Sequence, residues 1–444
     1  MHDSKKFSLF TINRPLVFII AKNDYDCLAG YVGLLRSNCV VALINDSIHE
    51  SMLNDLVIKF KPSFIYQPKI MISLKRNWKE RFNIGKYVFY ETNNEIDYDI
   101  SDDLSLLLMT SGSTGSPEFV RLSHSNIYSN TKSICEYLNI SNNDVAITTL
   151  PMSYSFGISI INTHLLMGAN LILTDVSLME KNFWNLISHY KVTTFSGVPY
   201  TFEILKKLKF ENIPLPTINY ITQAGGKLRN SLLEYFSKVS NQKNIDFIVM
   251  YGQTEASPRM SYLPPKMLRR KIGSIGEPIP GGKFYLINDG SKIINEPNVE
   301  GELVYEGKNV CLGYARNCYE LAKGNINNGV LETGDIARMD SDGYYYITGR
   351  KKRLLKLFGN RVSLDQVEQK INEAGYNCAC VGLDDQMKIY TTEKSNIKKI
   401  NKFIAEYFDL NKSGFSIICI DTIPRSDSGK ILYSELEKIN YVSN

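Results

Sequence analysis

The chain has 444 residues, of which 43% are hydrophobic and 22% charged, and its 51 Lys+Arg against 46 Asp+Glu leave a formal charge of +5. That balance excludes collagen, an extended coiled coil and wholesale disorder, and the length suggests roughly two to four domains with a sizeable core. No basic cluster marks a nucleic-acid partner, and no run approaches the roughly 18–20 apolar residues of a membrane helix. The N-terminal apolar run ends at Lys22, Asn23 and Asp24. It is too short for a membrane and lacks the features of a secretory leader, so neither a membrane nor a secreted location is expected.

In chain order, apolar runs alternate with helical periodicity. A strand is predicted over 16–21, a helix over 25–36 with Leu28, Tyr31, Val32 and Leu35 on one face, and a strand over 40–44. A helix over 52–60 and strands over 63–66 and 87–90 follow. The rhythm resumes with helices over 126–137, 156–167, 181–190, 200–208 and 228–237, interleaved with strands over 145–150, 170–173, 192–196, 220–222 and 246–250. Strands alternating with helices predict parallel sheets covered by helices on both faces, an α/β doubly wound arrangement. From Gly273 the chain becomes rich in Gly and Pro, with short strands over 283–287, 301–305 and 343–347 that read as an antiparallel β unit. A boundary is expected at 349/350, giving a large domain over 1–349 and a small α+β domain over 350–444 with helices over 364–373 and 431–438. The eight cysteines are scattered without a CxxC and the five histidines without an HExxH. Free thiols in a reducing cytoplasm are therefore expected, and no zinc site.

The most informative segment is 104–124. A continuous apolar run over 104–109, the mark of a buried strand, breaks into Thr110, Ser111, Gly112, Ser113, Thr114, Gly115 and Ser116. Small residues let successive backbone N–H groups turn toward one point and hydroxyls add donors, an array suited to phosphate. The GxxxxGK[ST] spacing of a Walker loop is absent. The plain alternative is a flexible Gly/Ser surface turn.

Several motifs in order resemble the adenylate-forming (AMP-binding) superfamily of acyl- and aryl-CoA synthetases, peptide-synthetase adenylation domains and luciferases. They are TSGSTGSP at 110–117, QAGGKL at 223–228, YGQTE at 251–255, ETGD at 332–335, GRKKRLLKLFGNRVSLDQVE at 349–368 and PRSDSGK at 424–430. The match is to an acyl-CoA-synthetase-like member that starts near the family's first nucleotide-domain strand and is trimmed around 381–392. The resemblance implies a large domain of doubly wound α/β subdomains plus a distorted β barrel, and a small mobile α+β lid.

It also implies chemistry: a carboxylate attacks the α-phosphorus of ATP, giving an acyl adenylate and pyrophosphate, and a thiol then takes the acyl group. Thr110–Gly115 would wrap the β- and γ-phosphates. Thr254 would bond the α-phosphate, and Glu255 would ligate Mg²⁺, a hard cation that prefers oxygen. Ala224, Gly225 and Gly226 would form the adenine turn beside Tyr251 and Gly252. Asp335 would accept both ribose hydroxyls, with Arg350 nearby. Lys430, on the final polar loop, would bridge the acid and the α-phosphate and is the residue expected to carry the chemistry. Lys352 would be the hinge about which the small domain turns, bringing 356–361 to the site for the second step. Tyr154, Phe156, Val198, Pro199, Thr222 and Gln223 would line the acid pocket, with Gln223 free to bond a polar acyl substituent.

Two departures bear on function. The family's Pro-Lys-Gly after the phosphate loop is Pro117-Glu118-Phe119 here, so a carboxylate replaces a lysine, with Arg121 as a candidate replacement cation. In the stretch at 150–159 there is no acid to hold an α-ammonium, which argues against an amino-acid substrate. The resemblance thus implies a cytoplasmic acid–thiol ligase using ATP, Mg²⁺ and coenzyme A or a carrier-protein phosphopantetheine, with neither a nucleic-acid nor a membrane partner. Two alternatives stay open: transfer of the acyl group to a carrier protein or an amine without coenzyme A, or a catalytically weakened nucleotide- or acyl-binding module.

Overall fold

A computed structural model describes residues 14–70, 78–110, 118–357, 360–408, 414–426 and 429–439. Three sheets build the large part of the molecule. The first runs, edge to edge, through Gly313–Ala315, Glu118–Ser123, Leu104–Thr110, Val40–Asn45, Leu16–Ala21, Phe64–Pro68, Tyr87–Glu91 and Lys79–Ile84. Its four central strands are mutually parallel and its flanks antiparallel. Leu16–Ala21 is buried at every residue, because helices cover both faces of the sheet. Val17, Ile19 and Ala21 enter one core, while Leu16, Phe18 and Ile20 enter the other. This alternation is the period-2 logic of a strand covered on both sides.

The second sheet runs Glu277–Pro278, Arg259–Leu263, Asp246–Gly252, Tyr220–Gln223, Thr194–Gly197, Val145–Ile147 and Asn170–Ile172. All contacts from Asn170–Ile172 through Asp246–Gly252 are parallel, and the remaining two strands close that edge in antiparallel fashion. Helices Ser155–Leu166, Lys181–His189, Pro199–Lys207 and Asn230–Gln242 link or flank these strands. The unit expected as a distorted barrel is a five-stranded antiparallel sheet ordered Ile293–Ile294, Gly282–Ile287, Glu300–Gly307, Val330–Met339 and Tyr345–Arg350. It is sealed onto the second sheet by Phe284, Tyr305, Tyr345 and Met260.

The C-terminal part holds the two-stranded ribbon Leu354–Leu357/Asn360–Ser363 and a three-stranded sheet of Cys378–Leu383, Gln386–Thr391 and Phe415–Cys419. Helices Leu364–Glu373 and Ile397–Tyr407 pack on it through Val367, Ile371, Ile400 and Ile404. The last helix is Tyr433–Glu437, so the predicted start at 431 is corrected by two residues: Ile431 is held instead in an extended bridge to Arg425. Among the described residues no helix is long and apolar enough to cross a membrane. All eight cysteines are free thiols.

Candidate active site

Parallel strands deliver their C-terminal ends to one edge of a sheet, and the crevice beyond that edge is where open α/β folds bind ligands. In the second sheet Gly197 pairs with Gln223 and Gln223 with Val249, so the three loops that follow emerge side by side. The middle loop is Ala224-Gly225-Gly226. Gly225 has φ +83°, and a Cβ there would lie 2.6 Å from the Tyr154 hydroxyl and 3.0 Å from Val198 Cγ1. Only glycine lets those two side chains close over the turn. The tyrosine is the N-cap residue of helix Ser155–Leu166, and its ring meets that of Phe156 edge-on at 6.4 Å. Burial pushes the Tyr154 phenol up to about 12.

Gln223 departs from expectation. It is buried, and its Nε2 donates to the carbonyls of Gly226 at 2.9 Å and Ala224 at 3.3 Å. Its amide therefore shapes the turn from within instead of offering donors to a ligand. Thr222, its neighbour, is also buried, 2.7 Å from Ser196 hydroxyl to hydroxyl.

The third loop carries Tyr251 to Glu255. Gly252 allows a tight crossing, since a Cβ there would sit 1.8 Å from the Pro258 carbonyl oxygen. Tyr251 donates its hydroxyl to Asp335 Oδ2 at 2.5 Å, and Gln253 Nε2 donates to the same oxygen at 3.0 Å and to the Thr333 carbonyl at 3.0 Å. Arg350 faces Asp335 across adjacent strands and donates its Nε to Oδ1 at 3.0 Å. Asp335 is 3% exposed. Burial, and next the Asp335 charge, holds the Tyr251 phenol well above its usual range, so it stays a donor. Arg350, expected near Asp335, is bonded to it, and sequence reasoning missed Gln253, although it stands inside the YGQTE string.

Thr254 lies 3.0 Å from Ser155, hydroxyl to hydroxyl, at the first turn of helix Ser155–Leu166. Glu255 Oε1 accepts the Tyr314 hydroxyl at 2.5 Å, which leaves the rest of the carboxylate available as a hard oxygen ligand. No motif flags Tyr314; it arrives from the edge strand Gly313–Ala315. From the other side comes Lys430. Its turn is closed by the Ser426 N–H to Lys430 carbonyl bond at 2.8 Å and by Arg425 bonding the Gly429 carbonyl at 2.9 Å. Nζ of Lys430 stands 5.5 Å from the Tyr154 ring centre. Crowding by surrounding protein lowers the pKa of this lysine, the like charge of Arg350 lowers it further, and the Glu255 carboxylate opposes both. The side chain nonetheless keeps contact with solvent.

Of the phosphate-loop residues, Thr110 ends the strand Leu104–Thr110 and pairs with Glu118 on the next strand. Ser111, Gly112, Ser113, Thr114 and Gly115 lie outside the described residues. Glu118 is ion-paired to Arg316, Nε to Oε2 at 3.1 Å. Arg121 does not replace the missing lysine. It is fully buried, with its guanidinium donating to the carbonyls of Leu312 at 2.9 Å, Gly324 at 3.1 Å, Tyr314 at 3.2 Å, and Lys323. The cation beside Glu118 is Arg316.

Around the expected hinge the basic residues divide between the two parts of the chain. Lys351 bonds Glu302 in the antiparallel sheet at 2.6 Å. Arg353 bonds Asp365 at 2.6 Å and Glu368 at 3.1 Å in the C-terminal part and stacks on Tyr433 at 3.6 Å. Lys352 stands between them, with its side chain exposed. The segment 356–361 lies largely outside the described side chains.

Comparison with known proteins gives a consistent picture. A family model described as AMP-binding enzyme matches residues 13–315. The medium-chain fatty-acid–CoA ligase of Escherichia coli is 27% identical over 349 residues, 74% of this chain and 60% of that protein. The oxalate–CoA ligase of Saccharomyces cerevisiae is 27% identical over 390 residues, 83% of this chain and 68% of that one. The chain thus spans about three-fifths to two-thirds of the length of these relatives. In fold it is similar to the o-succinylbenzoate CoA synthetase of Bacillus subtilis, solved with its acyl-adenylate intermediate: TM-score 0.79 and 19% identity, covering 99% of this chain and 92% of that one.

Proposed function

The chain belongs to the AMP-binding enzyme family, and from that premise we propose that it activates a carboxylic acid with ATP and passes the acyl group to a thiol, coenzyme A or a carrier-protein phosphopantetheine. The observation that carries this reading is convergence. Lys430, Thr254, Glu255 and the Asp335–Arg350 pair come from four separate stretches of sequence and meet at the C-terminal edge of one parallel sheet. Coenzyme A is favoured as acceptor because the named relatives are CoA ligases.

In this reading Asp335, held rigid by Tyr251, Gln253 and Arg350, accepts the ribose hydroxyls. The turn Ala224–Gly226 takes the adenine against Tyr251. Thr254 donates to the α-phosphate, with Ser155 fixing its hydroxyl. Thr110 and residues 111–115 supply N–H and hydroxyl donors to the outer phosphates. Glu255 is the carboxylate suited to hold Mg²⁺, which when bound neutralises phosphate charge. Lys430 places its ammonium where the acid carboxylate approaches the α-phosphorus, offsetting the repulsion between two anions. One carboxylate oxygen bonds to the α-phosphorus, the bond from that phosphorus to the bridging oxygen breaks, and pyrophosphate leaves. Thiol attack on the acyl carbonyl then expels AMP.

The domain boundary falls at 349/350 and the pivot at Lys352, supported by the division of Lys351 and Arg353 between Glu302 on one side and Asp365 and Glu368 on the other. Tyr154, Phe156, Val198 and Thr222 wall the acid pocket. Eight free thiols suit a reducing, cytoplasmic location. Pyrophosphate release from ATP and Mg²⁺ across a panel of carboxylic acids, with and without coenzyme A, tests the reading. Acid-dependent release with thioester product supports it. Release with adenylate accumulating in the presence of coenzyme A points to another acceptor, and no release with any acid overturns it.

A further inference from the structure

Lys227 follows the turn Ala224–Gly226 directly and reaches from the large part of the molecule to the C-terminal part. Its Nζ donates to the Ile347 carbonyl at 3.0 Å and to Gln369 Oε1 at 2.8 Å. Ile347 belongs to strand Tyr345–Arg350, which leads into the boundary, and Gln369 to helix Leu364–Glu373, which follows it. One ammonium therefore joins the proposed adenine turn, the last strand of the large part and the first helix of the C-terminal part.

Both ends of this contact are oriented. Gln223 holds the Gly226 carbonyl at 2.9 Å, which fixes the backbone one residue ahead of Lys227. Gln369 donates its Nε2 to Glu373 Oε1 at 2.7 Å, one helical turn on, and Glu373 is ion-paired to Lys370 at 2.8 Å. An amide whose NH₂ is engaged on one side turns its carbonyl oxygen to the other, and an ammonium needs an acceptor. Crowding by surrounding protein lowers the pKa of Lys227, and the Asp365 and Glu373 carboxylates oppose that shift, favouring the charged form.

A second contact seats the same two parts together. Gly429, next to Lys430, has φ +76°, and a Cβ there would lie 2.8 Å from Tyr200 Cβ. Tyr200 follows Pro199 at the start of helix Pro199–Lys207, and a Cβ at Gly226 would lie 3.1 Å from Pro199 Cγ. The C-terminal part thus rests at two points around one turn, Gln369 on Lys227 and Gly429 on Tyr200, and in this arrangement Lys430 stands over Tyr154. Resting on the acid-activating function above, we propose that Lys227 is a positioning residue: its bond to Gln369 is the catch that holds the C-terminal part with Lys430 at the acid pocket, and it must open before that part turns for thioester formation. Lys227 acts on the population of the arrangement that carries Lys430, not on the reacting atoms.

The test uses the full chain and three readings. They are the pyrophosphate burst with ATP, Mg²⁺ and an acid that responds in the panel above, thioester formation from the corresponding acyl adenylate and coenzyme A, and trypsin cleavage at 351–353, between the two parts. Lys227→Met and Gln369→Met are each expected to speed that cleavage about three- to fivefold, the scale of one solvent-exposed charged contact. Each should slow the burst by up to the same factor and leave thioester formation undiminished. The double variant is expected to do no more than either single change, because both remove the same bond. Lys227→Arg, which keeps the charge, is expected to restore most of the wild-type behaviour. Equal slowing of both half-reactions, unchanged cleavage at 351–353, or additive effects in the double variant overturns the proposal. If the wild type releases pyrophosphate with no acid, it is the acid-activating function that fails. The catch is then judged by cleavage alone: acceleration in each single variant without further gain in the double upholds it, and wild-type rates reject it.

Discussion

The ammonium of Lys430 sits over the face of Tyr154, 5.5 Å from its ring centre, so the C-terminal part reaches the rim of the proposed acid pocket. Arg350 and Glu255 act on this lysine with opposite sign. Lys430→Ala is expected to lower acid-dependent pyrophosphate exchange by about 10²–10³-fold, the scale of removing a group that stabilises developing charge. ATP binding and melting temperature will change little, because the side chain is solvent-accessible. The depressed pKa adds a signature. Lys430 loses its proton at lower pH than an ordinary lysine, so exchange will fall on the alkaline side earlier than free lysine predicts. In Lys430→Arg, which stays charged, the residual activity should lose that limb; an unchanged limb would assign it to another group.

Tyr251 donates its hydroxyl to Asp335 at 2.5 Å. Tyr251→Phe deletes one charge-assisted bond worth about 1.5–3 kcal/mol while Gln253 and Arg350 still hold the carboxylate. KM for ATP is expected to rise about tenfold with a smaller change in kcat. Asp335→Asn will cost more, since Arg350 then loses its partner as well. Equal losses in kcat and KM for Tyr251→Phe would place the tyrosine in the chemical step instead.

Much of the fold was legible in sequence because its signals are local. Helices over 25–36 and 364–373 coincide with Tyr25–Arg36 and Leu364–Glu373, where a clear apolar stripe follows Asp24 and Ser363 as N-caps. The edge strand Lys79–Ile84 escaped notice: it is mostly exposed and reads KERFNI, with no continuous apolar run. The strand Glu118–Ser123 was hidden by its position directly after a polar loop, and Arg121 within it was read as a candidate cation for the phosphate site. Only the tertiary fold reveals the carbonyls of 312–324 that surround it. The residues of the proposed nucleotide site stand in short strings, whereas Tyr314 and Ser155 join it through contacts that span 59 and 99 residues of sequence.

Arg121 therefore makes a stability prediction, not a catalytic one. Arg121→Met removes a donor from four carbonyls in a buried setting, of which Leu312 keeps the Ile326 N–H, and is expected to destabilise the protein by about 3 kcal/mol, measured by urea denaturation. Activity per folded molecule should be retained. A phosphate-binding role would show the reverse pattern, with intact stability and a raised KM for ATP.

Glu118 occupies the strand that leaves the phosphate loop, paired with Thr110 in the backbone ladder and with Arg316 by charge. Glu118→Gln removes a negative charge from the polyphosphate side and frees the arginine. KM for ATP is expected to fall a few-fold at low ionic strength, and the gain should shrink as salt is raised, because Arg316 is largely solvent-exposed and screened. A rise in KM at every salt concentration would show that the carboxylate itself supports the site.

The last prediction concerns the division of charges around Lys352. Lys351 is tied to Glu302 and Arg353 to Asp365 and Glu368, so in the proposed function a turn of the C-terminal part is absorbed at the residue between them. Lys352→Pro fixes φ near −65°, removes a backbone donor and restricts the backbone of Lys351 before it, limiting rotation there while leaving the side chains of both ion-paired neighbours in place. The two half-reactions are then expected to separate. Adenylate formation, read as about one equivalent of pyrophosphate released in a burst, should survive, because Lys430 already stands at the pocket in this arrangement. Thioester formation should drop by about 10²-fold or more, because the proposed second half-reaction turns on that pivot. If both steps slow together, the proline has disturbed the first arrangement; if neither slows, the chain turns somewhere other than Lys352.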